Sequence, residues 1–170
     1  MSASLSVEIK ASLAWLWEES LELSTLVDSS KLEVQTAFSA GDGPDEADQI
    51  WHDTRTLAAS SNDDLDLMAL VQSIHGQAVS LGFAKLKAIL IHNTSEEESL
   101  VIDSSVTNSI KTPFDGSATS KLQIPPSSPL LLVNKLAGWA VTAGTGDLLR
   151  IANGSAEEIE YKIVIVGTAA

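Results

Sequence analysis

The sequence predicts an all-β protein: a single antiparallel β-sandwich, jelly-roll-like, with an extended N-terminal β arm. Apolar and polar residues alternate with a period of two in most segments, which is typical of strands. No segment has the apolar spacing of a long helix, and turn-forming residues separate the segments. With 170 residues, 44% of them hydrophobic, the chain can form one domain with a core. We divide it into an arm (residues 1–24) and a sandwich (residues 25–170).

The arm is predicted from strict alternation, with apolar residues at every second position from Leu5 to Trp17. Since a strand of about nineteen residues would be unusually long, we expect either a break near residues 18–20 or an arm that reaches beyond its own domain. Trp15 and Trp17 share one phase, which fits core packing or an interface, because aromatic residues are enriched at interface cores. An apolar face of this size needs a covering surface. The predicted interface comprises Leu13, Trp15, Trp17, Leu21 and Leu23.

The rest of the chain reads as short strands joined by turns. The segment KLKAILIHN, residues 85–93, is the strongest strand, and residues 72–84 are ambiguous because two glycines disfavour a helix there. Residues 103–129 are rich in Ser, Thr, Asn and Pro and predict long connections around a short LQI segment. Further strands are predicted over 31–38, 49–59, 64–70, 100–105, 130–133, 138–143, 148–152 and 159–166.

Composition excludes several classes of function. Ten Lys and Arg against twenty-three Asp and Glu give a formal charge of −13, so nucleic acid and anionic lipid should repel the chain. The absence of cysteine excludes disulfides, thiolate metal sites and thiol nucleophiles. The N-terminus lacks the apolar core of a signal peptide, and no apolar run is long enough to span a membrane.

The segment GWAVTAGTGDLLRIANG, residues 138–154, resembles the start of a phosphate-binding loop. Such a loop needs a third glycine and a following helix, but here Leu149 stands at the third position and Asn153 soon begins another turn. We therefore predict a hairpin turn in which Gly144 and Gly146 serve the backbone geometry, because glycine readily adopts positive φ.

No other motif predicts catalysis, a metal or a cofactor. The three histidines, at positions 52, 75 and 92, lie too far apart in sequence to form a metal motif. The acidic clusters at 42–48 and 63–66 do not have EF-hand spacing, and solvated turns are the favoured interpretation. Trp139 is expected to pack in the core.

Three segments together resemble small virion proteins of tailed bacteriophages. They are ADQIWHDTRTLAASSNDDLDLMAL (47–70), FAKLKAILIHNTS (83–95) and the hairpin GWAVTAGTGDLLRIANG (138–154). The resemblance spans roughly residues 47–167, and the last hairpin is its most specific part. It implies a minor structural protein of the virion, such as a capsid decoration or cement protein, with no catalytic residue to assign.

Three hypotheses of function follow. The favoured one is a non-enzymatic cement protein, a homo-oligomer with a trimer favoured, that is made in the bacterial cytoplasm and bridges major capsid subunits on the outer capsid surface. Another virion protein is an alternative partner. The second hypothesis is a tail- or fibre-associated protein that binds host glycans through exposed aromatic residues and the 103–129 loops. The third is an enzyme on a β-scaffold, which a stoichiometric transition metal would indicate.

Overall fold

In the computed structural model, which describes residues 4–74, 76–114, 117 and 119–170, the chain is all-β, as predicted. No helix occurs in these described residues. The fourteen strands are β1 (Val7–Ser20), β2 (Thr25–Ala40), β3 (Glu46–Ala47), β4 (Gln49–Leu57), β5 (Asn62–Asp66), β6 (Leu70–Ile74), β7 (Gln77–Leu81), β8 (Phe83–Asn93), β9 (Leu100–Asp103), β10 (Lys121–Ile124), β11 (Pro129–Val133), β12 (Trp139–Ala140), β13 (Leu148–Asn153) and β14 (Ile159–Ala169).

Eight of these strands form the two sheets of a sandwich. One sheet has the order β11-β8-β14-β4, with the short β12 also paired to β8, and the other has the order β10-β9-β13-β5. Consecutive strands of the chain therefore alternate between the sheets at several points, which is the connectivity of a jelly roll. The ambiguous segment 72–84 resolves into the antiparallel hairpin β6–β7 and the beginning of β8.

The core lies between the two sheets and follows the alternation of the sequence. In β14, Ile159, Tyr161, Ile163 and Ile165 are buried, and the residues Glu160 and Lys162 between them are exposed. They pack with buried residues of both sheets, including Trp51, Ile89, Ile91, Leu100, Ile102, Ile124, Leu149 and Ile151. Because the period-two pattern places β-branched and aromatic side chains on one face of each strand, burial of that face fixes the register of the sheets.

A polar bridge ties the two sheets together. The hydroxyl of Tyr161 in β14 donates a 2.6 Å hydrogen bond to the carboxylate of Asp63 in β5, which also accepts two hydrogen bonds from Arg55 in β4. Burial, together with the hydrogen bond to Asp63, raises the pKa of Tyr161 well above its usual value. Burial alone would lower the pKa of Arg55, but its contacts with Asp63 raise it above its usual value. Tyr161 is therefore a neutral donor, and Arg55 is a cation.

A buried lysine fastens two loops to the sandwich. The Lys87 side chain is buried, and its Nζ donates to the carbonyl oxygens of Leu136 at 2.8 Å, Gly43 at 3.2 Å and Lys135 at 3.4 Å. Burial and the neighbouring charge of Lys85 lower the pKa of Lys87. Because its partners are backbone carbonyls on two loops, this side chain stabilises the base from which the arm leaves the sandwich.

The N-terminal arm is a long two-stranded hairpin. Strands β1 and β2 pair without a break from Val7–Phe38 to Ser20–Thr25, and residues 21–24 form the turn. At about 3.4 Å per residue, β1 is about 48 Å long. The break expected near residues 18–20 lies at residues 21–24, because β1 continues as far as Ser20, which pairs with Thr25. The predicted boundary after residue 24 lies at the tip of the hairpin, so the arm includes all of β2.

Only the base of the arm contacts the sandwich. Phe38 is buried there with Ala47, Ala88 and Val166, and Leu5, Val7, Ile9 and Val164 pack against this cluster. Beyond Ile9 the residues of β1 are exposed, as are nearly all those of β2 before Thr36. The arm is thus anchored at one end and projects from the outer face of the β4–β14–β8–β11 sheet.

Candidate interface: an uncovered arm and an outer sheet face

One face of the arm is apolar along its length. Strand alternation places Ala11, Leu13, Trp15 and Trp17 of β1 on the same face. Leu13 is 66% exposed, and Trp15 and Trp17 are 41% and 50% exposed. Of the predicted interface residues, these three lie together on the strand face.

Leu21 and Leu23 of the predicted interface lie elsewhere. Both have odd numbers like the apolar residues of β1, but the chain reverses at 21–24, where the Leu21 amide donates to the Ser24 carbonyl at 2.7 Å. Leu23 is 98% exposed at the tip. Both leucines therefore extend the apolar surface around the turn instead of continuing the strand face.

The second half of the apolar face comes from β2, which the sequence prediction assigned to the sandwich. Leu32 pairs with Leu13, Val34 pairs with Ala11, and Leu26 lies near the tip on the same side. All three residues are more than half exposed. The alternation of Leu32 and Val34 was visible in the sequence, but only the register of the hairpin shows that they join Trp15 and Trp17 in one surface.

Trp15 is arranged so that its ring can be buried by a partner without loss of a hydrogen bond. Its indole Nε1 donates to the carboxylate of Asp28 on the adjacent strand at 3.3 Å. A buried indole N–H without an acceptor would be costly. Because Asp28 already supplies the acceptor within the arm, the covering surface need not provide one.

The opposite face of the arm is mainly polar. Glu8 and Lys10 form an ion pair of 2.9 Å, and Lys31 and Glu33 form one of 2.7 Å. Leu16 and Val27 are the exposed apolar exceptions on this side. The arm therefore has one face suited to solvent and one suited to contact with protein.

The apolar face is as large as the largest apolar patches that soluble monomers ordinarily expose. Leu13, Trp15, Trp17, Leu26, Leu32 and Val34 are between 41% and 66% exposed. With full areas of about 150–250 Å² for large apolar side chains, together they expose roughly 600 Å². The largest apolar patch of a typical soluble monomer is about 300–600 Å² and is often functional.

The outer face of the β4–β14–β8–β11 sheet holds a second uncovered surface, which we call the trough. Beside the arm base it forms an apolar groove of about 310 Å³ lined by Ile50, Leu90, Leu131 and Val164, among others. A more polar depression of about 460 Å³ lies toward the β6–β7 hairpin and includes His52, Gln72, Lys162 and Val164. Val164 lines both depressions, so they are neighbours on this sheet face.

The Gly144-Thr145-Gly146 segment forms a tight turn after Thr142, but the predicted hairpin is wrong, because β12 pairs with β8 in one sheet and β13 pairs with β5 and β9 in the other. The Gly146 amide donates to the Thr142 carbonyl at 2.8 Å, and the next segment is strand β13. Gly144 has φ of +73°, whereas Gly146 has no positive φ, so only Gly144 requires a glycine conformation. The Asp147 carboxylate accepts the Gly144 amide, so a carboxylate of the chain itself occupies the position where a phosphate would bind.

The acidic clusters are engaged within the chain. Asp63 contacts Arg55 and Tyr161, Asp64 forms a bidentate pair with Arg150, and Asp66 accepts the Met68 amide. In the other cluster, Glu46 accepts the Gly43 amide, and Asp48 accepts the Ala169 amide. These five carboxylates have different partners, and the described residues contain no group of three or more potential ligands for a metal.

The remaining candidate residues are dispersed. His52 is exposed and His92 is half-buried, both on the outer sheet face, whereas His75 lies outside the described residues. Trp51 is buried and donates from Nε1 to the Val71 carbonyl at 3.0 Å. Trp139 packs against the core.

Comparison of the chain with protein-family models, with curated proteins and with solved structures found no match. In the part of the chain that the structure describes, no helix is long and apolar enough to cross a membrane. The assignment of these surfaces as interfaces therefore rests on their geometry alone.

Proposed function

We propose that the protein is a non-enzymatic structural component of a tailed-phage virion, a cement protein that binds the outer surface of the capsid. The observation that carries the proposal is the arm, because a 14-residue strand with its apolar side uncovered serves contact with another protein. The resemblance of residues 47–167 to phage virion proteins suggests that the partner in such a contact is another protein of the virion.

The charge of the chain supports the outer capsid surface over the interior. A formal charge of −13 opposes contact with packaged DNA, since each phosphate contact requires a cation. A jelly-roll body with a polar rim and a single apolar arm is suited to stand on a shell and bridge neighbouring capsid subunits.

Cement proteins act by adding binding free energy to the shell, which resists the pressure of packaged DNA. Each copy needs only a modest affinity because many copies bind one particle. The partner in this role is the major capsid protein or another virion protein. The role requires binding and no catalysis.

The test uses the phage that encodes the chain, grown with and without the gene. We expect intact particles to contain many copies, and we expect particles without the protein to assemble but to release DNA at a lower temperature. Purified protein added back should restore the release temperature, whereas protein lacking residues 5–40 should not.

Two results would contradict this function. One is the absence of the protein from purified particles. The other is particles without the protein that release DNA at the same temperature as complete ones. Binding of the purified protein to host-cell glycans, with loss of binding after substitution of exposed tryptophans, would favour a tail-associated adhesin instead.

A further inference from the structure

Each copy of the chain exposes two apolar surfaces that it does not cover itself: the distal face of the arm and the trough. The arm base occupies one end of the trough through Val7 and Ile9, while the arm residues 11–35 are exposed. We propose that the distal arm of one copy packs into the trough of a second copy, so that the chain assembles by exchange of arms.

The two surfaces have matching form. Both are faces of antiparallel β-sheet, and two such faces pack at about 10 Å with interdigitated side chains. The arm offers leucines, valines and two tryptophans in rows, and the floor of the trough offers Leu90, Leu131 and Val164. Leu90 is 38% exposed, a high value for a large apolar residue in the inner strand β8, and Ile50 on the edge strand β4 is 36% exposed.

Charge distinguishes a neighbour's trough from other surfaces of the same chain. Residues 18–28 of the arm contain four carboxylates and no Lys or Arg. The outer sheet face carries Lys162, with Glu160 at its far end, and the carboxylate of Asp53, which also lines the polar depression, is paired with Arg55. Neither Glu19 on the apolar arm face nor Lys162 in the trough forms an ion pair with a described residue. Two copies that each carry −13 repel overall, so an interface between them requires such a local match.

The same charges oppose pairing of one arm with another. Two arms packed face to face would bring Glu19 and Asp28 of both copies into one apolar interface, where like charges are costly. Asp28 is also engaged with the indole of Trp15, which holds that carboxylate on the apolar face. The trough is therefore the surface of a second copy that suits the arm better.

Area supports a stable contact. An arm face of roughly 600 Å² covered by an equal area of trough buries about 1,200 Å² in total, the lower end of specific interfaces. The contact joins different surfaces of the two copies, so repetition produces a ring or an open filament. In a closed ring every copy gives one arm and receives one, and the trimer expected of a cement protein would be such a ring. This assembly needs no capsid and does not rest on the proposed function.

The experiment is a charge exchange in the full-length protein, followed by sedimentation velocity over 1–500 µM. Wild-type protein should sediment above the 17.9 kDa of a monomer. Glu19→Lys and Lys162→Glu should each raise the dissociation constant about tenfold, because each places like charges in contact. The double variant Glu19→Lys/Lys162→Glu should assemble within about threefold of wild type, because the opposite charges are restored.

A matched control is available on the arm itself. Glu18→Lys makes the same change of charge one residue away but on the opposite face, and it should leave assembly unchanged. Circular dichroism checks that all variants fold.

Three results would overturn the proposal. They are a wild-type monomer throughout the range, single variants that assemble like wild type, and a double variant that assembles no better than the singles. Weakening by Glu19→Lys without weakening by Lys162→Glu would assign the arm to a different surface. Failure of capsid binding with intact self-assembly would refute only the proposed function.

Discussion

The bridge between the two sheets offers a quantitative test of the fold. Tyr161→Phe removes the hydroxyl that donates to Asp63 at 2.6 Å but keeps the buried ring. Asp63 keeps its two hydrogen bonds from Arg55, so the carboxylate is not left without a partner. The variant therefore isolates one hydrogen bond that reaches from β14 to the facing sheet.

The expected loss follows from the charge of the acceptor. A hydrogen bond to a charged group contributes about 1.5–3 kcal/mol, so Tyr161→Phe should lower the free energy of unfolding by about 2 kcal/mol. For a domain of this length that corresponds to a fall in Tm of about 4–8 °C. Asp63→Ala should cost more, about 3 kcal/mol, because it leaves both the tyrosine hydroxyl and the one-third exposed guanidinium of Arg55 without the carboxylate.

Urea unfolding of the two single variants and the double variant measures the coupling. We expect a coupling free energy of about 1–2 kcal/mol between Tyr161 and Asp63. Each variant is compared at the same state of assembly, because association also stabilises the folded chain. If the stability losses of the two single variants sum to that of the double variant within about 0.5 kcal/mol, the two side chains are not in direct contact in solution.

Three further predictions concern a glycine within strand β14, the two glycines of the 144–146 turn, and a surface ion pair. Gly167→Ala should destabilise the protein by about 1–3 kcal/mol, because an added Cβ would lie 2.1 Å from a backbone carbonyl oxygen of β8. Gly144→Ala should lower the free energy of unfolding by about 1–2 kcal/mol, because an L-residue is strained at the φ of +73° found there. Gly146→Ala should leave stability unchanged, because Gly146 has no positive φ and an added Cβ would lie in open space. Thermal unfolding compares the two variants, and equal losses of stability would contradict this prediction. The hydrogen bonds from Arg150 lower the pKa of the Asp64 carboxyl, so this pair contributes stability above the usual carboxyl pKa and loses it as the pH falls through the lowered value. Urea unfolding should show Arg150→Gln less stable than wild type at pH 6 by less than about 1 kcal/mol, with the difference vanishing near pH 2, and a difference that grows in acid would contradict the pair.

The strands of the sandwich could be predicted from the sequence because a half-buried strand requires an apolar residue at every second position. In β8 and β14 nearly every second residue is buried, and these segments were predicted with ends close to those observed. The turn at 144–146 was also predicted, since positive φ and the missing helix can be read from local sequence. Composition and alternation are local properties, and these features depend on little else.

Only the first strand of the arm was predicted, because the assignment of β2 to the arm depends on its pairing with β1 and not on its own sequence. Nothing within β2 distinguishes a strand of the sandwich from one that returns along β1. The turn at 21–24 contains no glycine or proline. The length of the alternating segment indicated a break near residues 18–20, but local sequence did not show that β2 returns along β1. The trough could not be predicted, because it joins residues of four strands that only the sheet order brings together.

Coverage of the apolar arm face by another protein surface is measured by hydroxyl-radical footprinting with mass spectrometry. Trp17, half exposed in the single chain, is the probe, and buried Trp51 is the internal reference. We expect the modification rate of Trp17 to fall at least about fivefold between dilute and assembled protein, since a covered ring loses contact with water. A Trp17 rate that stays the same in the assembled protein would contradict it.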